Sequence, residues 1–258
     1  MRWEELRWPE LADDRGGVAI LPLGAVEAHG PHLPLGTDCL IAEAMARDAA
    51  RRLSEAGIRA LVLPTLAYAP APFAQEFPGT LSIRPATLAA LVLDLAESLA
   101  ARGVGVLALA NAHFDPAQVA ALREAAVRVV DRGRPRLAFP DLTRRELASG
   151  LGEEFRSGAC HAGRYETSIV LAERPDLVSE AERVRLPALP VSLSAAARAG
   201  QTGFREAGLA AAYCGDPAAA SAAEGRELVA RLGEILARAV RAVLAPPGED
   251  PIPEENRS

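Results

Sequence analysis

Two pairs of acidic and histidine residues carry the strongest chemical signal in this 258-residue sequence. Glu27 and His29 follow one short apolar run, and His113 and Asp115 follow another. In an extended chain, side chains two residues apart point the same way, so each pair presents its two groups together. Carboxylate and imidazole groups are ligands that zinc and related divalent transition metals accept. The pairs therefore predict a metal site.

Asp38 is the fifth candidate ligand. It stands in the first turn of a helix predicted over 37–56, where a negative charge is favourable and its position is rigid. Five ligands exceed the need of one tetrahedral site, which predicts a binuclear site bridged by Asp38. Taken singly, these residues also have structural explanations, since Asp38 can cap a helix, Asp115 can form a turn and Glu27 with His29 can lie in a solvated loop. Their combination favours the metal site.

A third segment, HAGRYETS over 161–168, contains His161 and Glu166. His161 has no acidic partner two residues away, so we interpret it as a general acid or base rather than a ligand. Glu166 would orient His161 or accept a proton from water, although a carboxylate before Thr167 can also cap a turn. His32 lies close to two prolines and is interpreted as a hydrogen-bonding group behind the ligands or as an exposed residue.

Strands and helices alternate along the sequence. Apolar runs predict strands over 18–23, 59–66, 104–110 and 136–139, and helical patterns cover 37–56, 85–102, 116–132 and 218–244. The segment 167–175 fits either a helix or a strand. This order predicts an α/β fold with three layers, a mainly parallel sheet and helices on both faces. We expect one domain over 1–245 and a disordered, proline-rich and acidic tail over 246–258.

The carboxyl ends of parallel strands share one edge of a sheet, and ligands commonly bind in the crevice at that edge. Because Glu27 and His29 follow the first predicted strand and His113 and Asp115 follow the third, the candidate ligands should converge there.

Composition excludes several classes of function. The chain has 28 basic residues, all arginine, against 34 acidic residues, which gives a net charge of −6 and argues against nucleic-acid binding. No apolar stretch approaches the ~20 residues that cross a bilayer, so we expect no membrane partner. Three cysteines without CxxC spacing fit a reducing, cytoplasmic environment. Neither a GxGxxG nor a P-loop pattern is present.

The motifs LPLGAVEAHGPHLPLGTD (21–38), FPGTLSI (77–83), NAHFD (111–115) and HAGRYETS together resemble the creatininase family of metal-dependent amidohydrolases. The resemblance implies two divalent metal ions, zinc, manganese or iron. One would be held by Glu27 and His113 and the other by His29 and Asp115, with Asp38 as the bridge. It also implies a homo-oligomer, commonly a hexamer. Asp115 is shorter than the glutamate that creatininase has at this place.

The resemblance implies cleavage of a C–N amide bond, for which we expect a small cyclic or N-substituted amide as the substrate. The two metals would lower the pKa of a bound water, and the resulting hydroxide would attack the amide carbonyl. His161 would carry a proton to the leaving nitrogen. Known members also include a formamide hydrolase and a peptide-trimming enzyme, which stay alternatives, as does a catalytically silent member.

The residues predicted to contact the substrate are Phe73 and Gln75 in the loop 68–78, together with Phe114. This apolar loop lacks arginine and therefore predicts a neutral substrate, with creatinine itself a poor one. A different mechanism, with Cys160 as nucleophile beside His161, would leave the acidic pairs without a role.

Overall fold

The computed structural model describes residues 1–12 and 15–245. Four parallel strands form a sheet in the order β2-β1-β3-β4, namely β1 (Val18–Leu23), β2 (Ala60–Val62), β3 (Val106–Asn111) and β4 (Arg136–Ala138). The described residues form nine α-helices, which are α1 (Thr37–Glu55), α2 (Pro85–Ala101), α3 (Pro116–Asp131), α4 (Arg145–Ala148), α5 (Glu153–Ser157), α6 (Arg164–Glu173), α7 (Glu180–Arg183), α8 (Leu193–Arg198) and α9 (Ala222–Leu244). The tail predicted to be disordered, 246–258, lies outside the described residues.

Helices cover both faces of the sheet, which confirms the predicted three-layer α/β fold. Alternate strand residues such as Ile20 and Val106 pack against α1, α6 and α9. Their neighbours, including Leu21 and Leu107, pack against α2 and α3 on the opposite face. Both faces of each central strand are buried, so β1 and β3 appear in the sequence as continuous apolar runs. Within the described residues, no helix is both long and apolar enough to cross a membrane.

The order of the strands creates a crevice beside β1. The chain passes from β1 to β2 on one side of the sheet through α1, and then returns past β1 to β3 through α2 on the other face. Because both crossovers are right-handed, the change of direction places α1 and α2 on opposite faces of the sheet. The loops that follow β1 and β3 therefore diverge and leave a crevice between them. Leu23 pairs with Asn111 at the ends of these strands, so both loops leave the sheet at the same level.

Local sequence fixes the helix that follows each of these loops. Asp115 caps α3 by accepting a hydrogen bond from the backbone N–H of Ala117, and Pro116 takes the first helical position. Gly24 lets the loop after β1 approach α1, since a Cβ atom there would lie 2.5 Å from the backbone nitrogen of Cys39. This contact holds the loop that carries Glu27 and His29 against the start of α1.

Most of the predicted elements are confirmed, with differences at their ends. The strand predicted over 59–66 is continuous only over Ala60–Val62, and Leu66 forms a separate bridge with Leu23 of β1. The helix predicted over 218–244 begins at Ala222, because Pro217–Ala219 forms a 3-10 turn and Ser221 caps the helix. The ambiguous segment 167–175 lies largely in α6.

A separate small core covers the carboxyl edge of the sheet. Its buried apolar residues come from long loops and include Ala28, Ala74, Phe204, Leu209 and Cys214. These loops close over the ends of β1 and β3 and form a roof above the crevice.

Candidate active site

Six buried polar side chains meet at the carboxyl edge of β1 and β3. They form three groups in which the possible ligand atoms all lie within 4.8 Å of one another: Glu27, Asp38 and His113; His29, Asp38 and Glu166; and Glu27, His29 and His161. All six are less than a tenth exposed. The structure therefore brings together four of the five predicted ligands and both predicted catalytic residues.

Asp38 lies at the centre of the cluster. Its Oδ1 atom is 3.1 Å from Nε2 of His29, and its Oδ2 atom is 3.0 Å from Nδ1 of His113. Oδ2 is fully buried and has no hydrogen-bond partner among the described residues. Because Asp38 belongs to two of the three groups, one carboxylate can contribute an oxygen to each of two adjacent positions.

Backbone carbonyls fix the orientation of all three histidine rings. Nδ1–H of His29 donates to the carbonyl of Glu27 over 3.1 Å. Nε2–H of His113 donates to the carbonyl of Pro70, and Nε2–H of His161 donates to the carbonyl of Ala28, each over 2.9 Å. In the neutral ring, the nitrogen that donates to the carbonyl leaves the other nitrogen with a lone pair, and that nitrogen faces the carboxylates. This arrangement is typical of histidines that bind metals.

The charges in the cluster need compensation. In the described structure Glu27, Asp38 and Glu166 lie beside histidines but pair with no arginine, and three buried carboxylates without a permanent cation are costly. Burial raises the pKa of Glu166 to about 8. Burial alone would lower the pKa of His29, but the charges of Asp38, Glu166 and Glu27 outweigh it and raise that pKa to about 10. Two divalent cations would supply the missing positive charge, so these residues fit two metal ions.

The position of Asp115 differs from the prediction. Its Oδ1 atom accepts a hydrogen bond from the backbone N–H of Ala117 over 2.8 Å, and its Oδ2 atom accepts one from Phe73 over 3.1 Å. It belongs to none of the three ligand groups in the described part of the chain. The predicted turn-forming role of Asp115 is the one the structure shows, because β3 ends at Asn111 and Asp115 is the N-cap residue of α3.

Glu166 lies where the prediction placed Asp115. Its Oε2 atom is 3.6 Å from Nε2 of His29 and accepts a hydrogen bond from the backbone N–H of Ala162 over 2.6 Å. Ala162 has a φ of 49°, a left-handed conformation that is uncommon for residues other than glycine. This strained backbone turns the segment 161–168 so that Glu166, in the first turn of α6, faces the sheet edge.

His161 lies between the cluster and the roof of the crevice. Its ring is 4.3 Å from the ring of His29 and 4.4 Å from the ring of Phe204, measured between centroids. Its Nδ1 atom is 3.8 Å from Oε1 of Glu27. Burial, followed by the charge of His29, holds the pKa of His161 well below its usual value. The neutral ring therefore keeps a lone pair on Nδ1.

His32 takes the first of its two predicted roles. It is buried, and its Nε2 atom shares a hydrogen bond of 2.9 Å with the hydroxyl of Thr167, which adjoins Glu166. Its Nδ1 atom has no partner among the described residues. His32 thus joins the loop after β1 to the first turn of α6, behind the ligand cluster.

A cleft of about 1020 Å³ opens from the cluster towards α4, α5 and α8. Phe73 and Phe114 line it, as predicted, whereas Gln75 is exposed and is not among its lining residues in the described chain. Phe204 forms part of the same wall and packs edge-on against Phe73, with ring centroids 5.6 Å apart. Phe204 was missed because it lies in an irregular segment whose sequence pattern gives no indication of its position.

A sequence model of the family described as creatininase, creatinine amidohydrolase, matches residues 4–240. The mycofactocin precursor peptide peptidase of Mycobacterium tuberculosis is 34% identical over 229 residues, which cover 86% of this chain and 83% of the relative. The creatinine amidohydrolase of Pseudomonas putida is 31% identical over 197 residues, which cover 69% and 72% of the two chains.

Solved structures agree with these sequence matches. A crystal structure of creatinine amidohydrolase superposes with a TM-score of 0.72 at 26% identity, covering 95% of this chain and 98% of the other. A structure described as a manganese creatininase gives a TM-score of 0.71 at 26% identity, covering 95% and 98% of the two chains. Since the family model spans nearly the whole chain and the fold agrees, the chain belongs to the creatininase family of amidohydrolases.

Proposed function

We propose that this protein is a binuclear metal-dependent hydrolase of a C–N amide bond. The observation that carries the proposal is the position of Asp38, which turns one carboxylate oxygen to His29 and the other to His113. Glu27 and His113 would complete one metal position, and His29 and Glu166 the other. Compared with the arrangement predicted from the sequence, Glu166 replaces Asp115 as a ligand.

Two divalent ions held there, whether zinc, manganese or iron, would polarise the amide carbonyl and lower the pKa of water. Solved family members described as manganese and Zn-Zn types support this choice of metals.

The chain's own residues supply the proton transfers and the environment. His161 lines the cleft beside the cluster with a free lone pair on Nδ1, so it can take a proton and deliver it to the leaving nitrogen. Asp115 also lines the cleft, but two backbone N–H groups fix its carboxylate as a support for Phe73 and α3. Phe73, Phe114 and Phe204 form an apolar wall that would keep water away from one side of the amide.

The substrate is either a small amide or the amide bond of a peptide. Ligand pockets commonly measure about 300–1,000 Å³, so the cleft of about 1020 Å³ has room for more than a compact ring. The relatives named mycofactocin precursor peptide peptidase match more of this chain than the creatinine amidohydrolase does. These two observations favour a peptide amide as the second candidate beside the small cyclic or N-substituted amide.

The test is to strip the protein with a chelator, reload it with zinc or manganese, and assay creatinine, lactams, short peptides and a phosphorylated formamide together. We expect hydrolysis of a lactam or peptide that disappears in the stripped protein and returns on reloading, with creatinine a poor substrate. A protein that binds no metal after loading, or that hydrolyses none of these amides, would contradict the proposal. Light scattering on the same samples tests the predicted homo-oligomer.

A further inference from the structure

We infer that the outer part of the cleft binds an anionic group, a carboxylate or a phosphate, at the non-reacting end of the substrate. This inference rests on the proposed function and names the substrate class more closely. It starts from three exposed arginines, Arg145, Arg156 and Arg198, which line the cleft from α4, α5 and α8. Among the described residues, none of the three has an ion pair or a side-chain hydrogen bond.

The three arginines are held on elements that pack against one another and against the site. Phe155, next to Arg156, is buried and packs against Phe114 and Tyr165, with ring centroids 5.4 Å and 4.8 Å apart. Since Tyr165 adjoins the proposed ligand Glu166, this aromatic contact fixes α5 relative to the metal cluster. Arg156 is therefore placed at the cleft by a rigid neighbour.

The other two helices are attached to α5. The backbone N–H of Leu193, the first residue of α8, donates to the carbonyl of Gly158 over 2.9 Å. The hydroxyl of Ser192 donates to the carbonyl of Ser157 over 2.6 Å. The helix α4 packs directly on α5. Arg145 and Arg198 thus lie on the same joined set of helices as Arg156.

The charge of this region is opposite to that of the whole protein. The chain carries a net charge of −6, yet its outer cleft presents three arginines and one carboxylate, that of Glu153. A fourth arginine, Arg123, also lines the cleft, but Asp141 already occupies its guanidinium group at 2.6 and 2.8 Å. Arginine binds carboxylate and phosphate groups through paired N–H donors, so unpaired arginines around one cleft favour an anionic ligand.

This inference revises the neutral substrate predicted from the sequence. That prediction considered the loop 68–78, which has no arginine, whereas the arginines come from short helices in the irregular part of the chain. The apolar wall still contacts the middle of the substrate, and the charged group lies at its end.

The test measures binding by the zinc-loaded protein of three probes that share one five-residue alanine–glycine sequence. The first peptide ends in a free carboxylate. The second ends in a carboxamide and is the neutral reference. The third carries an added phosphoserine before its terminal carboxamide. We expect the carboxylate or phosphate peptide to bind about tenfold more tightly than the neutral peptide, with the advantage falling as salt rises. The anionic peptide with the higher affinity identifies whether the site prefers a carboxylate or a phosphate.

Two triple variants of equal charge distinguish binding by the cleft arginines from binding by the metals. We expect R145Q/R156Q/R198Q to lose the roughly tenfold preference. R102Q/R185Q/R226Q removes three exposed arginines outside the cleft and should keep it. Equal binding of charged and neutral peptides by the parent protein, no binding of any, or a preference that survives in the cleft variant would overturn the inference. Amide hydrolysis that continues in those cases would leave the proposed function intact.

Discussion

The carboxylate of Glu166 lies 3.6 Å from the imidazole Nε2 of His29, although the two residues belong to different structural elements. His29 follows β1, and Glu166 lies in the first turn of α6, which packs against α1 and α9. The backbone N–H of Ala162 also holds Glu166 in this orientation. The second metal position therefore depends on the packing of α6 and not only on the loops at the sheet edge.

Replacing Glu166 with glutamine should remove one of two bound metals. An amide oxygen is a neutral and weaker ligand than a carboxylate, so the His29 position would lose a charged ligand while Glu27 and His113 keep theirs. We expect about two metals per chain in the parent protein and about one in the E166Q variant. The protein is loaded with zinc or manganese and freed of excess metal by gel filtration, and elemental analysis then gives the number of metals per chain.

The matched control for this prediction is Asp115→Asn. Asparagine caps helices about as well as aspartate, so α3 should be preserved. Because Asp115 belongs to none of the ligand groups among the described residues, this variant should retain both metals, although its side-chain NH2 can no longer accept from the backbone N–H of Phe73. If D115N lost a metal and E166Q did not, the original ligand set predicted from the sequence would be the correct one.

The difference between Asp115 and Glu166 shows which parts of the site local sequence can predict. Glu27, His29 and His113 follow buried strands whose parallel arrangement is evident from the apolar runs, so their meeting at one edge could be predicted. The rule that residues two apart point the same way applies within a strand, and it fails at Asp115, which lies beyond the end of β3 and caps α3. No pattern in the segment 161–168 indicates how α6 packs, so the place of Glu166 required the tertiary structure.

Replacing Asp38 with alanine should abolish both metal positions. Asp38 belongs to both proposed metal positions, whereas His29 belongs to only one of them. We expect D38A to bind almost no metal and His29→Ala to retain about one ion. Circular dichroism should show that both variants keep their secondary structure. A D38A protein with normal metal content and activity would disprove the bridging role.

Replacing His161 with alanine should slow the reaction without removing metal. We assign His161 to proton transfer, a contribution that is typically about 10²–10⁴-fold in kcat. Metal analysis of the variant, together with steady-state kinetics on the amide that the parent protein hydrolyses best, tests this prediction. Metal loss in H161A would instead indicate that His161 is a ligand in its group with Glu27 and His29.

The neighbouring thiol provides a second test of the same mechanism. Burial raises the pKa of Cys160 well above its usual value, so the thiol stays protonated at neutral pH and is a poor nucleophile. Cys160→Ala should therefore retain nearly full activity. A variant with normal metal content and no activity would favour nucleophilic attack by the thiol.

The ion pair between Arg123 and Asp141 should stabilise the fold in a pH-dependent way. The Asp141 side chain is 5% exposed and accepts hydrogen bonds from Arg123 and Thr143. Burial alone would raise the pKa of Asp141, but these hydrogen bonds outweigh it and hold the pKa below its usual value of 3.8. A group whose pKa is lowered by folding stabilises the protein fully above its unfolded pKa, and this contribution is lost as pH falls through the folded value.

We therefore expect Asp141→Asn to lower the free energy of unfolding by about 1–3 kcal/mol at pH 7, because Arg123 loses a charged acceptor. The difference from the parent protein should begin to shrink below about pH 4, where Asp141 of the unfolded chain becomes protonated, and should vanish once the pH passes the lower pKa of the folded state. Urea unfolding in the presence of chelator, at several pH values, excludes any contribution from bound metal. Asp94→Asn, an exposed position without an ion pair among the described residues, is the control and should change stability little at any pH. A D141N difference that stayed constant down to pH 3 would show that the charge of Asp141 does not contribute.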